Sequence, residues 1–197
     1  MHGLINRAIE LFVRDTYGQD TWGEVAGRSE LVPQDFEAML DYPDAVTRDV
    51  LAGVSRVLDK PEAAILEDIG TYLVSHPTAE ALRRLLRFSG TDFTDFLHSL
   101  DDLPARARLA VPQLILPPIE LHDHDGHRFS VAVGAGRSGG LSFGYVLLGL
   151  LRAMADDYGV LVTLDHKGRR DGVETIEVRV LETAFARGRS FSLGAAL

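Results

Sequence analysis

The spacing of the apolar residues changes at Pro112, and this change limits the folds that the chain can form. Before Pro112 the apolar residues recur at helical spacing, as they do in Leu4, Ile5, Ile9, Phe12 and Val13. After Pro112, two pairs of alternating segments flank one long apolar helix, in the order β-β-α-β-β. The sequence therefore predicts an α+β fold: a helical part over about residues 1–111, then a four-stranded antiparallel sheet with one long helix over about 112–182. Residues 183–197 are expected to form a loose C-terminal tail.

Capping residues indicate where several of these elements begin. Asp44 is expected to cap the helix that follows it, and Thr78 is expected to cap the helix over "AEALRRLLRFSG". Pro61 is expected at the first position of the helix between them, where a missing N–H costs nothing. In the second half, Asp125-Gly126 is typical of the tight turn of a hairpin.

Composition excludes several classes of function. The net charge is −9, whereas proteins that bind phosphate backbones carry surplus lysine and arginine. The chain has no cysteine, which excludes thiolate catalysis, iron–sulfur clusters and thiolate-ligated haem. The longest apolar run, 141–151, is too short to cross a bilayer, and the N-terminal segment carries charges that a signal peptide lacks. We therefore expect a cytoplasmic protein with no nucleic-acid or membrane partner.

The segment "VAVGAGRSGGLSFGYVLLGLL" contains Gly134-x-Gly136-x-x-Gly139 between a predicted strand and a predicted helix. This is the context of a dinucleotide-binding loop, and Asp165 stands at a tolerable distance to hold a ribose. However, the predicted strands are too few for a doubly wound parallel sheet. Two other interpretations stay open: a tight strand-to-helix corner, or a loop that offers Arg137 and a helix N-terminus to an anion other than a nucleotide.

Three histidines crowd the first predicted hairpin, His122, His124 and His127 in "LHDHDGH". Imidazoles and carboxylates at close spacing can bind a divalent metal. A solvated hairpin tip explains the same residues, since Asp-Gly accounts for the turn alone. No arrangement of a nucleophile with a base is evident, so no catalytic residues are predicted.

Pro104 interrupts a pattern that otherwise reads as a continuing helix. A proline in a helix interior costs about 3 kcal/mol because it removes a backbone donor and crowds the preceding turn. Periodicity therefore favours a break, after which Asp102 caps a new turn that begins with Leu103 and Pro104. The alternative is that the residue normally required at this position has been lost.

The order of these segments resembles the haem nitric-oxide/oxygen-binding family, known as H-NOX or HNOB. The resemblance covers about residues 1–182 and rests on "MHGLINRAIELFV", "YGQDTWGEV", "YPDAVTRDVLAGVSRVLDKPEAAILEDIGTYLV", "FLHSLDDL", the prolines at 117–118 and the final β-β-α-β-β order. It implies a single domain in which a helical subdomain covers a four-stranded sheet, with haem between the two. It also implies a signalling partner, such as a histidine kinase or a cyclic-dinucleotide enzyme.

The resemblance places the family's haem-contacting positions on particular residues of this chain. The position of the axial histidine, after "LDDL", is Pro104, and a prolyl ring has no lone pair to offer iron. The propionate-binding Tyr-x-Ser-x-Arg motif falls on Val133, Ala135 and Arg137, so that only the arginine remains. The proline that presses on the porphyrin corresponds to Pro117, and the first helix contributes Ile5 to the pocket.

Another histidine could replace the missing ligand only with a large rearrangement. His98 precedes Pro104 by six residues, which is about 9 Å along a helix and about 240° away from the original face. His98 is the first candidate for an iron ligand, followed by His2 and His76.

Four functions follow from these patterns. The first is a non-enzymatic H-NOX-type sensor that has lost histidine-ligated haem and binds an apolar molecule whose acidic group pairs with Arg137. The second is a haem-based nitric-oxide or oxygen sensor with an unusual or absent axial ligand. The third is an interaction module whose pocket is filled by its own side chains. The fourth is a nucleotide-binding enzyme that uses Gly134, Gly136 and Gly139.

Overall fold

The computed structural model describes residues 1–30, 32–135 and 141–189. Within them, the helical part contains α1 (Gly3–Tyr17), α2 (Gln19–Ala26), α3 (Asp44–Leu58), α4 (Glu62–Ser75), α5 (Glu80–Arg87), α6 (Phe93–His98) and α7 (Leu103–Ala110). Two short 3₁₀ helices, Pro77–Ala79 and Leu100–Asp102, precede α5 and α7. The sheet part contains β1 (Ile119–Asp123), β2 (Arg128–Val133), α8 (Phe143–Tyr158), β3 (Leu161–Arg170) and β4 (Val173–Glu182).

The four described strands form one antiparallel sheet in the order β1-β2-β4-β3. Both hairpins turn through left-handed glycines, Gly126 in the first and Gly172 in the second. Alternate residues of β2 and β4 face the core, and Val131 is paired with Ile176 at the centre. The predicted α+β fold is therefore confirmed. These strands do not form the parallel β-α-β unit that the nucleotide interpretation requires.

Two apolar clusters form the core, and α8 contacts both. The helical cluster surrounds Phe12, Trp22 and Val50, whereas the sheet cluster surrounds Phe96, Val131 and many residues of α8. The helices α4 and α8 cross at two glycines with their backbones almost in contact. A Cβ on Gly70 would lie 2.0 Å from the Val146 carbonyl oxygen, and one on Gly149 would lie 1.9 Å from that of Glu67. Only glycine permits so close a crossing, which joins the helical part to the sheet part.

Several predicted helix starts differ from the structure by one or more residues. Pro43 rather than Asp44 is the N-cap of α3, and the Asp44 carboxylate instead accepts a hydrogen bond from the N-terminal amine at 3.0 Å. Pro61 is the N-cap of α4 rather than its first residue. Thr78 lies inside the 3₁₀ helix, which His76 caps by accepting from the Thr78 N–H. A proline fits an N-cap because its φ suits the extended conformation there.

The described part of the C-terminal segment makes main-chain hydrogen bonds to the end of α8. The Ala186 N–H donates to the Gly159 carbonyl at 3.0 Å, and the Arg189 N–H donates to the Asp157 carbonyl at 2.9 Å. The segment 183–189 therefore lies against the C-terminal end of α8. Main-chain hydrogen bonds of this kind leave no trace in side-chain composition, which had indicated a tail.

Candidate functional site

Pro104 lies at the second position of α7, after the helix has broken at Ser99 and passed through a 3₁₀ turn. The predicted break is therefore confirmed. Asp102 lies at the predicted N-cap position of α7, but it has helical dihedral angles and its side chain makes no capping hydrogen bond. Its neighbour Asp101 is engaged instead: its carboxylate accepts from the Leu121 N–H at 2.6 Å and so ties the break to strand β1.

Helix α7 carries no side chain that can ligate iron. Its sequence is "LPARARLA", and a guanidinium is always protonated and offers no lone pair. Leu103 and Ala107 face the core, while Arg106 bonds to the Ser89 hydroxyl and to the Ser99 carbonyl. The helix that the family resemblance assigns to the iron ligand therefore supplies only apolar contacts and a structural arginine.

Val133 and Ala135, which the resemblance assigns to the propionate motif, lie in different surroundings. Val133 ends β2 with 1% of its side chain exposed and belongs to the sheet cluster with Leu103 and Leu147. Ala135 is exposed. Between them, Gly134 donates its N–H to the Pro118 carbonyl at 2.9 Å, and a Cβ there would lie 2.6 Å from the Pro118 ring.

The two other predicted pocket residues, Pro117 and Ile5, lie in different parts of the fold. Pro117 is buried two residues before Ile119, which belongs to the sheet cluster, whereas Ile5 is half-buried and packs on the helical cluster. The structure thus brings Val133 and the Pro117–Pro118 segment together and leaves Ile5 in the other core. Arg137, Gly136 and Gly139 lie outside the described residues.

His98, the candidate replacement ligand, points away from the core. Half of its side chain is exposed, and Nε2 lies 3.5 Å from the Asp123 carboxylate on the β1–β2 hairpin. Its ring meets Phe129 edge-on at 5.9 Å. A hairpin contact rather than an iron contact is therefore the role that this geometry supports.

The histidine-rich hairpin is a solvated turn. His124 bonds through Nε2 to the Ser130 hydroxyl at 2.7 Å, and His122 and His127 are exposed. Arg128 and two backbone N–H groups hold the Asp125 carboxylate and lower its pKa to about 2. In the described part of the chain, no three acidic or histidine side chains are grouped so that they could hold a metal ion.

A buried polar cluster at the start of α8 was not predicted. The His166 Nδ1 accepts from the Gly168 N–H at 3.1 Å, so Nε2 carries the proton and donates to Glu174 at 3.0 Å. Arg169 donates to the other oxygen of Glu174 at 2.5 Å, and the Tyr145 ring stacks on His166 at 4.1 Å. The alternating pattern of β4 predicts a strand that includes Glu174, but it does not show that this side chain is buried. The structure shows this, and the β3–β4 register places Glu174 opposite Arg169.

Tyr145 also lines a cavity of about 430 Å³ between α3, α4 and the first turn of α8. Its apolar wall is formed by Leu51, Leu66, Leu141 and Tyr145. Its rim carries Arg48, the N-terminal residue and three carboxylates, of which Asp44 binds the N-terminal amine and Asp49 accepts from Ser29. The cavity therefore combines an apolar body with polar groups at one edge, as small-molecule sites do.

No helix among the described residues is long and apolar enough to cross a membrane.

Comparisons with known proteins identify the family. The family model described as HNOB, Haem-NO-binding, matches residues 2–166 of the chain. Soluble guanylate cyclase 89Db of Drosophila melanogaster is 24% identical over 164 residues, which are 83% of this chain and only 24% of that protein's length. The Fe(II) unliganded H-NOX protein from K. algicida is similar in structure, with a TM-score of 0.79 at 15% identity over 95% of this chain and 100% of that one. An H-NOX protein from S. oneidensis in the Fe(II)NO state gives 0.75 at 16% identity, over 92% of this chain and 100% of that one. The chain that carries Pro104 at the start of α7 thus belongs to the HNOB, haem-NO-binding, family.

Proposed function

We propose that this chain is a non-enzymatic sensor domain of the H-NOX family that works without histidine-ligated haem. The observation that carries this proposal is Pro104 at the second position of α7, on a helix that offers no iron ligand. Val133 supports it, because an apolar side chain that is 1% exposed in the sheet core replaces a hydrogen-bonding group of the propionate motif. The residues present therefore do not fit haem held in the family's usual way.

The cavity beside α8 is the site we propose for a different guest, an apolar molecule with an acidic group. Leu51, Leu66 and the Tyr145 ring would contact the apolar body. Arg137 precedes the cavity residue Leu141 by four positions, a span of at most about 14 Å. An arginine that reaches the cavity can pair its guanidinium with a carboxylate in a bidentate manner. Pro117 and Ile5 would then contribute packing rather than cofactor contacts.

Signalling partners are proposed by family resemblance alone. A domain of this family in a cytoplasmic signalling system would report its state to a histidine kinase or a cyclic-dinucleotide enzyme. The guanylate cyclase relative is consistent with a separate effector, because this chain spans only 24% of its length.

A haem titration of the purified protein, followed by absorption spectroscopy, tests the loss of ligation. We expect no saturable Soret band in the parent protein. Haem uptake by Pro104→His would indicate that a pocket persists and that the ligand alone was lost, whereas no uptake by either protein would favour a pocket filled by its own side chains. A saturable band in the parent would contradict the proposal and favour the haem-sensor alternative with an unusual or absent ligand.

A thermal-shift series with decanoate tests the alternative guest. We expect decanoate to raise the melting temperature of the parent protein and of Arg108→Ala, a change at an exposed arginine on α7. Arg137→Ala should reduce the shift because the acidic group loses the guanidinium that we propose pairs with it. Equal shifts in all three proteins would remove Arg137 from the site.

A further inference from the structure

The C-terminal end of α8 is joined to α5 through one buried carboxylate. The Asp157 side chain is 1% exposed, and Arg83 approaches its Oδ1 with Nε and Nη2, both at 2.8 Å. Arg87 lies 3.6 Å from Oδ2 and stacks over the Tyr158 ring at 3.8 Å. A carboxylate at this depth requires such partners, because a buried charge without them is strongly destabilising.

The same turn of α8 also holds the segment Thr183–Arg189, here called the C-terminal strap. The Asp157 main-chain oxygen accepts from Arg189 N–H at 2.9 Å, and the Gly159 oxygen accepts from Ala186 N–H at 3.0 Å. Two glycines make this contact possible. A Cβ on Gly159 would lie 2.2 Å from the Ala186 oxygen, and one on Gly188 would lie 2.7 Å from the Asp157 oxygen. The strap is therefore seated by backbone shape as well as by hydrogen bonds.

Asp157 thus binds α5 through its side chain, and its main-chain oxygen accepts both from Arg189 of the strap and, at 3.4 Å, from Nη1 of Arg87 on α5. Helix α5 follows α4 through the 3₁₀ helix Pro77–Ala79, and α4 crosses α8 at the Gly70–Gly149 contact. A shift of the helical part against the sheet would consequently move the two arginines relative to Asp157. The main-chain oxygens of Asp157 and Gly159, which accept from the strap, both lie in the turn 157–159. If this turn moves with α5, the hydrogen bonds that hold the strap must change.

We propose that the Asp157 turn is a conformational coupling device, in which the position of α5 determines whether the C-terminal strap stays seated on α8. The strap is then the element through which this domain reports a change in its helical part. What moves α5 depends on the proposed sensor function, but the coupling itself does not, and it can be measured without ligand or haem. By linkage, it must also operate in reverse, from the strap to α5.

Amide hydrogen exchange of the full chain, followed by NMR, tests the coupling in the first direction. Asp157→Asn removes the charge that binds Arg83 and Arg87 but leaves both strap acceptors in place, since these are main-chain oxygens. We expect the amides of Ala186 and Arg189 to exchange at least about tenfold faster, because breaking a buried ion pair is costly. Asp156→Asn, at the neighbouring exposed position, is the matched control and should leave them unchanged. Equal strap protection in both variants would overturn the proposal.

Gly188→Ala tests the reverse direction and also serves if Asp157→Asn does not fold. The added Cβ displaces the strap without touching any group of α5 named above. We expect faster exchange at the end of α5, where Phe88 N–H donates to the Arg84 oxygen at 2.9 Å. Gly23→Ala, where a Cβ meets nothing within 4 Å, is the control. Loss of strap protection with unchanged α5 protection would show a passive contact and overturn the coupling, whatever the haem and decanoate experiments give.

Discussion

Pro104 occupies a position where a proline does little harm. The first N–H groups of a helix have no acceptor within it, so a missing donor at the second position of α7 removes no hydrogen bond. The preceding 3₁₀ turn at Leu100–Asp102 also spares the ring a clash with a continuous helix. The fold therefore tolerates a proline at this position at small cost, because the helix begins there.

We predict that Pro104→Ala lowers the free energy of unfolding by no more than about 1 kcal/mol, the entropy that proline removes from the unfolded chain. Ala107→Pro, three residues later in the same helix, should cost about 3 kcal/mol or more because it removes an interior donor. Urea denaturation of both variants measures the contrast. A gain of more than about 1 kcal/mol on Pro104→Ala would instead reveal strain at this position.

At the residue scale, the sequence predicted the break at Pro104 but not the groups that stabilise it. Asp101 and Asp102 are chemically identical, and only the placement of β1 beside the break selects Asp101 as the partner of Leu121. Likewise, His98 and His166 look alike in the sequence, yet one is half exposed and the other is buried against Glu174. Such choices depend on long-range packing, which spacing along one chain does not encode.

At the scale of elements, the α4–α8 crossing reverses the usual preference for alanine over glycine inside a helix. Alanine is normally better than glycine in a helix by about 1 kcal/mol. At Gly149, however, a Cβ would lie 1.9 Å from the Glu67 oxygen, so the two backbones must separate. Overpacking typically costs about 1–3 kcal/mol, and an approach of 1.9 Å to a backbone oxygen favours the upper part of that range, which exceeds the gain in propensity.

We therefore predict that Gly149→Ala destabilises the protein by about 1–2 kcal/mol. Gly23→Ala in α2 should instead stabilise it by up to about 1 kcal/mol, since a Cβ at Gly23 meets nothing within 4 Å. Thermal or urea unfolding of the two variants gives the signs directly. A stabilising Gly149→Ala would mean that α4 and α8 separate readily, and the close crossing would lose its role in joining the two parts.

Most elements could be predicted because their apolar periodicity is long and unbroken, as in α1, α3 and α8. Helix α2 was not predicted as a separate helix: it has only eight residues, with Gly23 in its interior. The seated strap was also missed, since main-chain hydrogen bonds and close glycines hold it rather than apolar side chains. Short elements and backbone contacts carry too little sequence signal to be predicted from spacing.

For the whole molecule, the two apolar clusters meet at the first turn of α8. Val146 belongs to the helical cluster although its helix packs mainly in the sheet cluster, and Phe143 and Tyr145 contact both. The His166–Glu174–Arg169 cluster fixes the same turn from the sheet side through the stacked Tyr145 ring. Because one turn is shared by both clusters, neither can unfold without exposing part of the other.

We predict that the two clusters unfold as one cooperative unit, and Trp22 is a suitable probe. It is the single tryptophan of the chain and is fully buried in the helical cluster. Val178→Ala, a change in the sheet cluster where Val178 is 1% exposed, should lower the free energy of unfolding measured by Trp22 fluorescence by about 2 kcal/mol. Val173→Ala at a 37% exposed position of the same strand should change it by less than about 0.5 kcal/mol. If Trp22 fluorescence were insensitive to Val178→Ala while circular dichroism showed an earlier loss of strand, the domain would consist of two independent parts.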